Sequence, residues 1–133
     1  MRGLDTNVLI RFLLRDDRRQ AAAARAAIEQ ALATGEPAVI SLVTLAETEW
    51  VLRSRAKLGK HALLAVFKQL LEARDLLFES EEAVEEAVFS YEHSKADFAE
   101  CLMLAQYRRM GCAAMLTFDA RAAKLPGVEL IAA

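Results

Sequence analysis

Apolar positions along this chain follow two rhythms. Short apolar bursts sit after turn signals, while longer stretches return an apolar residue every three or four positions. Ala38-Val39-Ile40, Leu76-Leu77-Phe78, residues 113–117 and residues 128–131 are bursts of the first kind, and each predicts a short buried strand. The opening residues read the same way, as a strand that runs straight into a helix. Helical spacing predicts helices over residues 8–14, 18–33, from a cap at Ser41 or Thr44 to about 57, and over 60–73, 80–91 and 97–110. The alanine-rich 18–33 stretch suits a helix by propensity as well.

The punctuation agrees with these elements. Asp16-Asp17 stops the first helix, Gly35-Glu36-Pro37 the second, and Gly59 the third. Ser41 or Thr44 can cap the helix after the second strand, and Ser80 with Glu81 and Glu82 makes a good helix start. Gly111 suits a left-handed terminal residue. Strands alternating with helices predict an α/β fold with a parallel sheet covered on both faces. No repeat, linker or change of composition divides it, so residues 1–133 are expected to form one domain.

Composition sets the limits. The chain has 133 residues, 55% of them hydrophobic, with a net charge of -2, a pI near 5.7 and a mean hydropathy of +0.18. That fits a compact domain with a real core. No apolar run reaches the roughly 18 residues of a membrane span. The N-terminus lacks the pattern of a signal peptide, so a cytoplasmic protein is expected. Cys101 and Cys112, without CxxC spacing or histidine partners, read as buried reduced thiols. Trp50 and the phenylalanines read as core, and His61 and His93 as surface or linker.

A slightly acidic balance argues against a dedicated nucleic-acid scaffold. Two basic groups stand out all the same: Arg11, Arg15, Arg18 and Arg19, then Arg53, Arg55, Lys57 and Lys60. Each reads first as a solvated helix end. Together they remain compatible with RNA contact.

The acids carry more information. Asp5 follows the first strand and Asp119 the fourth, so a parallel sheet sends both to its carboxyl edge, where open α/β sheets hold ligands. Glu47 lies in the first turns of the helix after the second strand, although its neighbour Glu49 competes for the same role. Asp97 and Glu100, three apart at a helix start, share a face. The structural alternatives are plain: Asp5 and Asp97 can be helix caps, and Glu100 an early-helix acid favoured by the dipole. Glu29, Glu72, Glu79, Glu81, Glu82, Glu85 and Glu86 read as solvated faces.

Acids gathered at one edge repel one another, so a cluster needs a cation or shifted protonation. Oxygen-only ligands select hard ions, magnesium or manganese. One ion, or two about 3.5 to 4 Å apart, can hold a phosphodiester, lower the pKa of a bound water and stabilise the leaving oxygen. That is nuclease chemistry.

Four segments carry a resemblance: Leu4-Asp5-Thr6-Asn7-Val8-Leu9-Ile10, Thr44-Leu45-Ala46-Glu47, Asp97-Phe98-Ala99-Glu100-Cys101-Leu102-Met103 and Leu116-Thr117-Phe118-Asp119. In this order they resemble the motifs of PIN-domain proteins, especially VapC-type toxins of toxin–antitoxin pairs. The resemblance implies a three-layer α/β/α sandwich with a central parallel sheet and a magnesium- or manganese-dependent endoribonuclease. It implies metal ligation by Asp5, Asp97 or Glu100, and Asp119, with Glu47 as the second acid. Thr6, Asn7 and Thr117 would be supporting polar groups near metal or substrate. Family members usually carry Asp where this chain has Glu100, which keeps the charge and reaches one methylene further.

From the same resemblance follow an RNA substrate, a cognate antitoxin and a homodimer. The helices over residues 18–33 and 60–73 are candidate partner surfaces, or simply core. Two other functions stay open on the residues: a phosphatase or phosphotransferase of another α/β class, which would want an acid where Asn7 stands, and a non-catalytic PIN-like partner-binding protein.

Overall fold

The computed structural model describes residues 1–133 and folds as two compact units, Met1–Glu81 and Glu82–Ala133. No helix is long and apolar enough to cross a membrane.

The first unit opens with β1 (Arg2–Gly3), α1 (Thr6–Leu14), α2 (Arg18–Ala33) and β2 (Ala38–Ile40). It continues through α3 (Leu42–Ser54), α4 (Lys60–Glu72) and β3 (Leu76–Phe78). Its sheet has the order β1-β2-β3 and every pairing is parallel, with Gly3 opposite Val39 and Val39 opposite Leu77. Parallel pairing requires a crossover between strands, and the helical stretches supply it. Leu9, Ile28, Ile40, Leu45, Leu52, Leu63 and Phe67 are almost fully buried and form this unit's core.

Local signals set the ends of these helices. Arg15 takes a left-handed conformation at φ 56° and stops α1. The Asp17 side chain then accepts from the Gln20 N–H at 3.1 Å and starts α2. Of the two cap candidates it is Ser41 that caps α3, by accepting from the Thr44 N–H at 3.1 Å. The helix ends at Ser54, before Gly59, which instead stands at the N-cap of α4. β1 is short. Beyond it Leu4 N–H still donates to Val39 O at 3.0 Å, and the chain then turns into α1.

The second unit holds α6 (Phe98–Arg109), β4 (Met115–Thr117), a 3₁₀ turn (Ala122–Lys124) and β5 (Val128–Leu130). α5 (Glu81–Glu92) begins at its boundary. β4 and β5 pair in parallel, Leu116 opposite Glu129. Val84, Phe98, Cys101, Leu104 and Ala122 are buried here, and the Tyr91 and Phe98 rings meet edge to face with centroids 5.5 Å apart.

Gly127 takes φ 87°, and a Cβ there would lie 3.2 Å from Arg108 Nη2. The Arg108 guanidinium donates to Pro126 O and pairs with Glu86 at 3.5 Å. The end of α6 is thereby fastened to the turn that feeds β5. Glycine suits that φ, and a side chain there would also have to push the end of Arg108 aside by a few tenths of an ångström.

Candidate functional site

Three of the expected acids come together in the second unit. Asp97 stands at the N-cap of α6 in extended conformation, yet its side chain makes no capping hydrogen bond. Glu100 is in the first turn of the same helix. Asp119 follows β4, and its N–H donates to Thr117 Oγ1 at 3.0 Å. Asp119 Oδ1 accepts from the Arg121 N–H at 2.8 Å, which holds the carboxylate in place. One carboxylate oxygen from each of Asp97, Glu100 and Asp119 lies within 4.8 Å of the other two.

Electrostatics set these three carboxylates against one another. Removal from water, followed by the negative charges of Asp119 and Asp97, pushes the Glu100 carboxyl up to about 7. Asp119 is held below its ordinary range, first by the Arg121 backbone N–H. Glu100 therefore carries the proton when one is shared. Its Oε2 is buried without a hydrogen-bond partner, an arrangement that costs free energy unless something satisfies the atom. A divalent cation fits this set: it would neutralise the repulsion, occupy the orphaned oxygen and find only the hard oxygen donors it prefers.

The first unit holds the other two acids. Asp5 is the N-cap of α1, exposed, and its side chain also makes no cap bond. The capping roles open to Asp5 and Asp97 on sequence are therefore not filled. Glu47 is exposed on α3, while Glu49 is only 3% exposed and accepts from Arg53 Nε at 2.8 Å. Of the two competing glutamates, Glu49 is committed to an ion pair and Glu47 faces water. Thr44, one turn before Glu47, donates its hydroxyl to Leu4 O at 3.5 Å and so ties the start of α3 to the residue preceding Asp5. Thr6 is buried and Asn7 exposed in the first turn of α1.

Glu79 departs from expectation. Rather than serving only as a solvated face, its Oε1 accepts from the Leu42 N–H at 2.9 Å and satisfies the N-terminus of α3. The signal was available, since Glu79 follows an apolar strand just as Asp5 and Asp119 do. Glu82 and Glu86 likewise pair with Arg109, at 3.9 and 3.6 Å. Trp50, Phe89 and Phe118 are exposed rather than core, at 49%, 64% and 71%, whereas Phe67 and Phe98 are buried. Cys101 is buried and Cys112 exposed, so only the first fits the expected buried thiol.

No curated protein and no solved structure matches the chain. A family model described as PIN domain matches residues 4–128, from the residue before Asp5 to the first residue of β5. PIN domains are generally nucleases that use divalent metals, and by this match over nearly its whole length the chain belongs to the PIN domain family.

Proposed function

We propose that the protein is a magnesium- or manganese-dependent endoribonuclease and the toxin of a VapC-type toxin–antitoxin pair. One observation carries the reading: Asp97, Glu100 and Asp119 converge within 4.8 Å and leave a buried Glu100 oxygen unpartnered. In this reading Asp97, Glu100 and Asp119 would hold the ion, and Asp5 is a further ligand by the family resemblance. When bound, the ion supplies charge stabilisation for the phosphodiester and its leaving oxygen.

The protein's own groups do the rest. Glu47, exposed and unshifted in role by any ion pair of the kind that occupies Glu49, takes a proton from the attacking water. The water oxygen bonds to phosphorus as the bond from phosphorus to the 3′ oxygen breaks; the upstream fragment leaves with a 3′ hydroxyl, protonated from solvent, and the downstream fragment keeps the 5′ phosphate. Thr117 fixes the Asp119 backbone, and Thr6 and Asn7 present polar groups beside Asp5. The substrate in this reading is single-stranded or loop RNA, whose exposed bases can be read.

Antitoxin and homodimer belong to the same proposal, as does a cytoplasmic location. A groove of about 300 Å³ lined by Val8, Ala23, Ala24 and Ala27, with Asn7, Arg11 and Gln20 at its polar margin, suits an apolar antitoxin segment. The deciding experiment is cleavage of a cellular RNA pool with and without magnesium, wild type against Asp5→Asn. Metal-dependent fragments with 5′-phosphate ends, lost in the variant, are expected. Fragments that persist equally in Asp5→Asn, or no cleavage by the wild type, would reject the reading.

A further inference from the structure

Arg15, Arg18 and Arg25 line one open cavity of about 380 Å³ whose floor is Ala21 and Ala22. No acid contributes to its lining, and none of the three arginines forms an ion pair. Of the acids nearest in sequence, Asp16 accepts from Arg11 Nη1 at 3.0 Å, Asp17 caps α2, and Glu29, four residues beyond Arg25, pairs with none of the three arginines. In a chain of net charge -2 this is a local excess of positive charge.

Its construction is specific. Arg18, Ala21, Ala22 and Arg25 share one face of α2, and the alanines keep that face low enough for a chain to lie against it. The left-handed turn at Arg15 brings the third guanidinium from the end of α1. Arg25 lies over the Phe12 ring, 5.0 Å from its centroid, which limits its freedom. A second cavity, of about 220 Å³, contains Asn7, Arg11 and Arg55 but also Asp16, so its charge is already partly balanced. The first cavity is the better anion site.

We infer that the Arg15, Arg18 and Arg25 cavity binds backbone phosphates of single-stranded RNA, flanking the scissile bond. The inference rests on the nuclease reading above, because it is Asp5 that gives the site its direction. Asp5 is the N-cap of α1 and Arg15 its C-cap, so the cavity begins about 15 Å along the helix at 1.5 Å per residue. A strand with its scissile phosphate near Asp5 reaches the arginines within a few nucleotides. Guanidinium groups suit this task because they bind phosphate through paired N–H donors.

The test is fluorescence anisotropy of a labelled single-stranded RNA with the full chain in EDTA, across a salt series. Arg15→Gln/Arg18→Gln/Arg25→Gln is compared with Arg74→Gln/Lys95→Gln/Lys124→Gln, which removes the same charge from other exposed positions. The site variant is expected to bind at least about tenfold more weakly, with the salt slope reduced by about 2, from roughly 0.7 per lost phosphate contact. Thermal melts check that all variants fold. Equal weakening in both glutamine variants overturns the inference. So does an acidic peptide that binds the wild type and not the site variant while RNA binding is unchanged, since the surface would then serve an acidic protein. RNA binding lost only in the site variant, with no magnesium-dependent cleavage by the wild type, supports the phosphate site and rejects the nuclease reading.

Discussion

Arg53 reaches back one turn along α3 to Glu49, Nε to Oε2 at 2.8 Å, and closes a pair in which the acid is buried and the base half-exposed. This distinguishes two glutamates that sequence spacing left equivalent. Arg53→Met strands a buried carboxylate and should cost about 3 kcal/mol, the low end for a broken buried pair because half of Arg53 faces water. Glu47→Gln should change stability by no more than about 0.5 kcal/mol. Its cleavage rate should fall by about 10² to 10⁴, as for loss of a general base. Urea unfolding and single-turnover cleavage measure the two effects separately.

Glu100 gives a pH dependence of definite sign. Its folded-state pKa of about 7 exceeds the ordinary 4.5, so between these values the folded protein holds a proton that the unfolded chain has lost. Stability of the metal-free protein should therefore be highest at acid pH with respect to this group, and should decline as pH rises through 7. Glu100→Gln should flatten that decline. Magnesium binding should release about half a proton per ion at pH 7, where Glu100 is half protonated. Calorimetry in buffers of different ionisation enthalpy reads that release without reference to activity, and its absence would remove Glu100 from the ligand set.

Asp5 and Asp17 occupy equivalent positions before successive helices, but only the Asp17 side chain accepts a backbone N–H. Asp17→Ala should cost about 1 kcal/mol of stability, the usual value for a lost cap. Asp5→Ala removes the same charge without that bond, so it should cost less while abolishing metal-dependent cleavage. Thermal unfolding of both variants, paired with the cleavage assay, makes the comparison.

Phe98 follows Asp97 directly and is buried edge-on against Tyr91. Phe98→Ala should destabilise by about 3 to 5 kcal/mol through the cavity it leaves. Phe98→Leu should recover most of that. Because the start of α6 carries both Asp97 and Glu100, the alanine variant should also bind manganese more weakly where it remains folded, as titration would show.

The strands at 38–40 and 76–78 and the helix at 18–33 were legible because each is a dense local signal: an apolar burst after a turn, or helical spacing with a cap. The acids Asp97, Glu100 and Asp119 were legible for a related reason, since strand ends and helix starts place side chains predictably. What stayed hidden depends on partners distant in sequence. Nothing around Glu79 announces Leu42, whose N–H it satisfies from 37 positions away. Glu47 and Glu49 are two positions apart on one helix, and only the reach of Arg53 separates them. Trp50 and Phe118 look like core by composition, but apolarity does not say whether a neighbour covers the ring. Some helix ends moved by a few residues: α1 begins at Thr6 rather than at 8, and α3 stops at Ser54 rather than at 57.

The missing side chain at Gly127 has reach beyond its own turn. α6 carries Glu100 at one end and Arg108 at the other; the guanidinium grips the turn, β5 leaves that turn, and β5 braces β4, whose far end presents Asp119. These pieces form a closed circuit of contacts that runs from one acid to the other by way of the turn at the opposite end of the helix. A methyl group at position 127 would first push aside the free end of the Arg108 side chain, so it would load this circuit at the turn rather than at either acid.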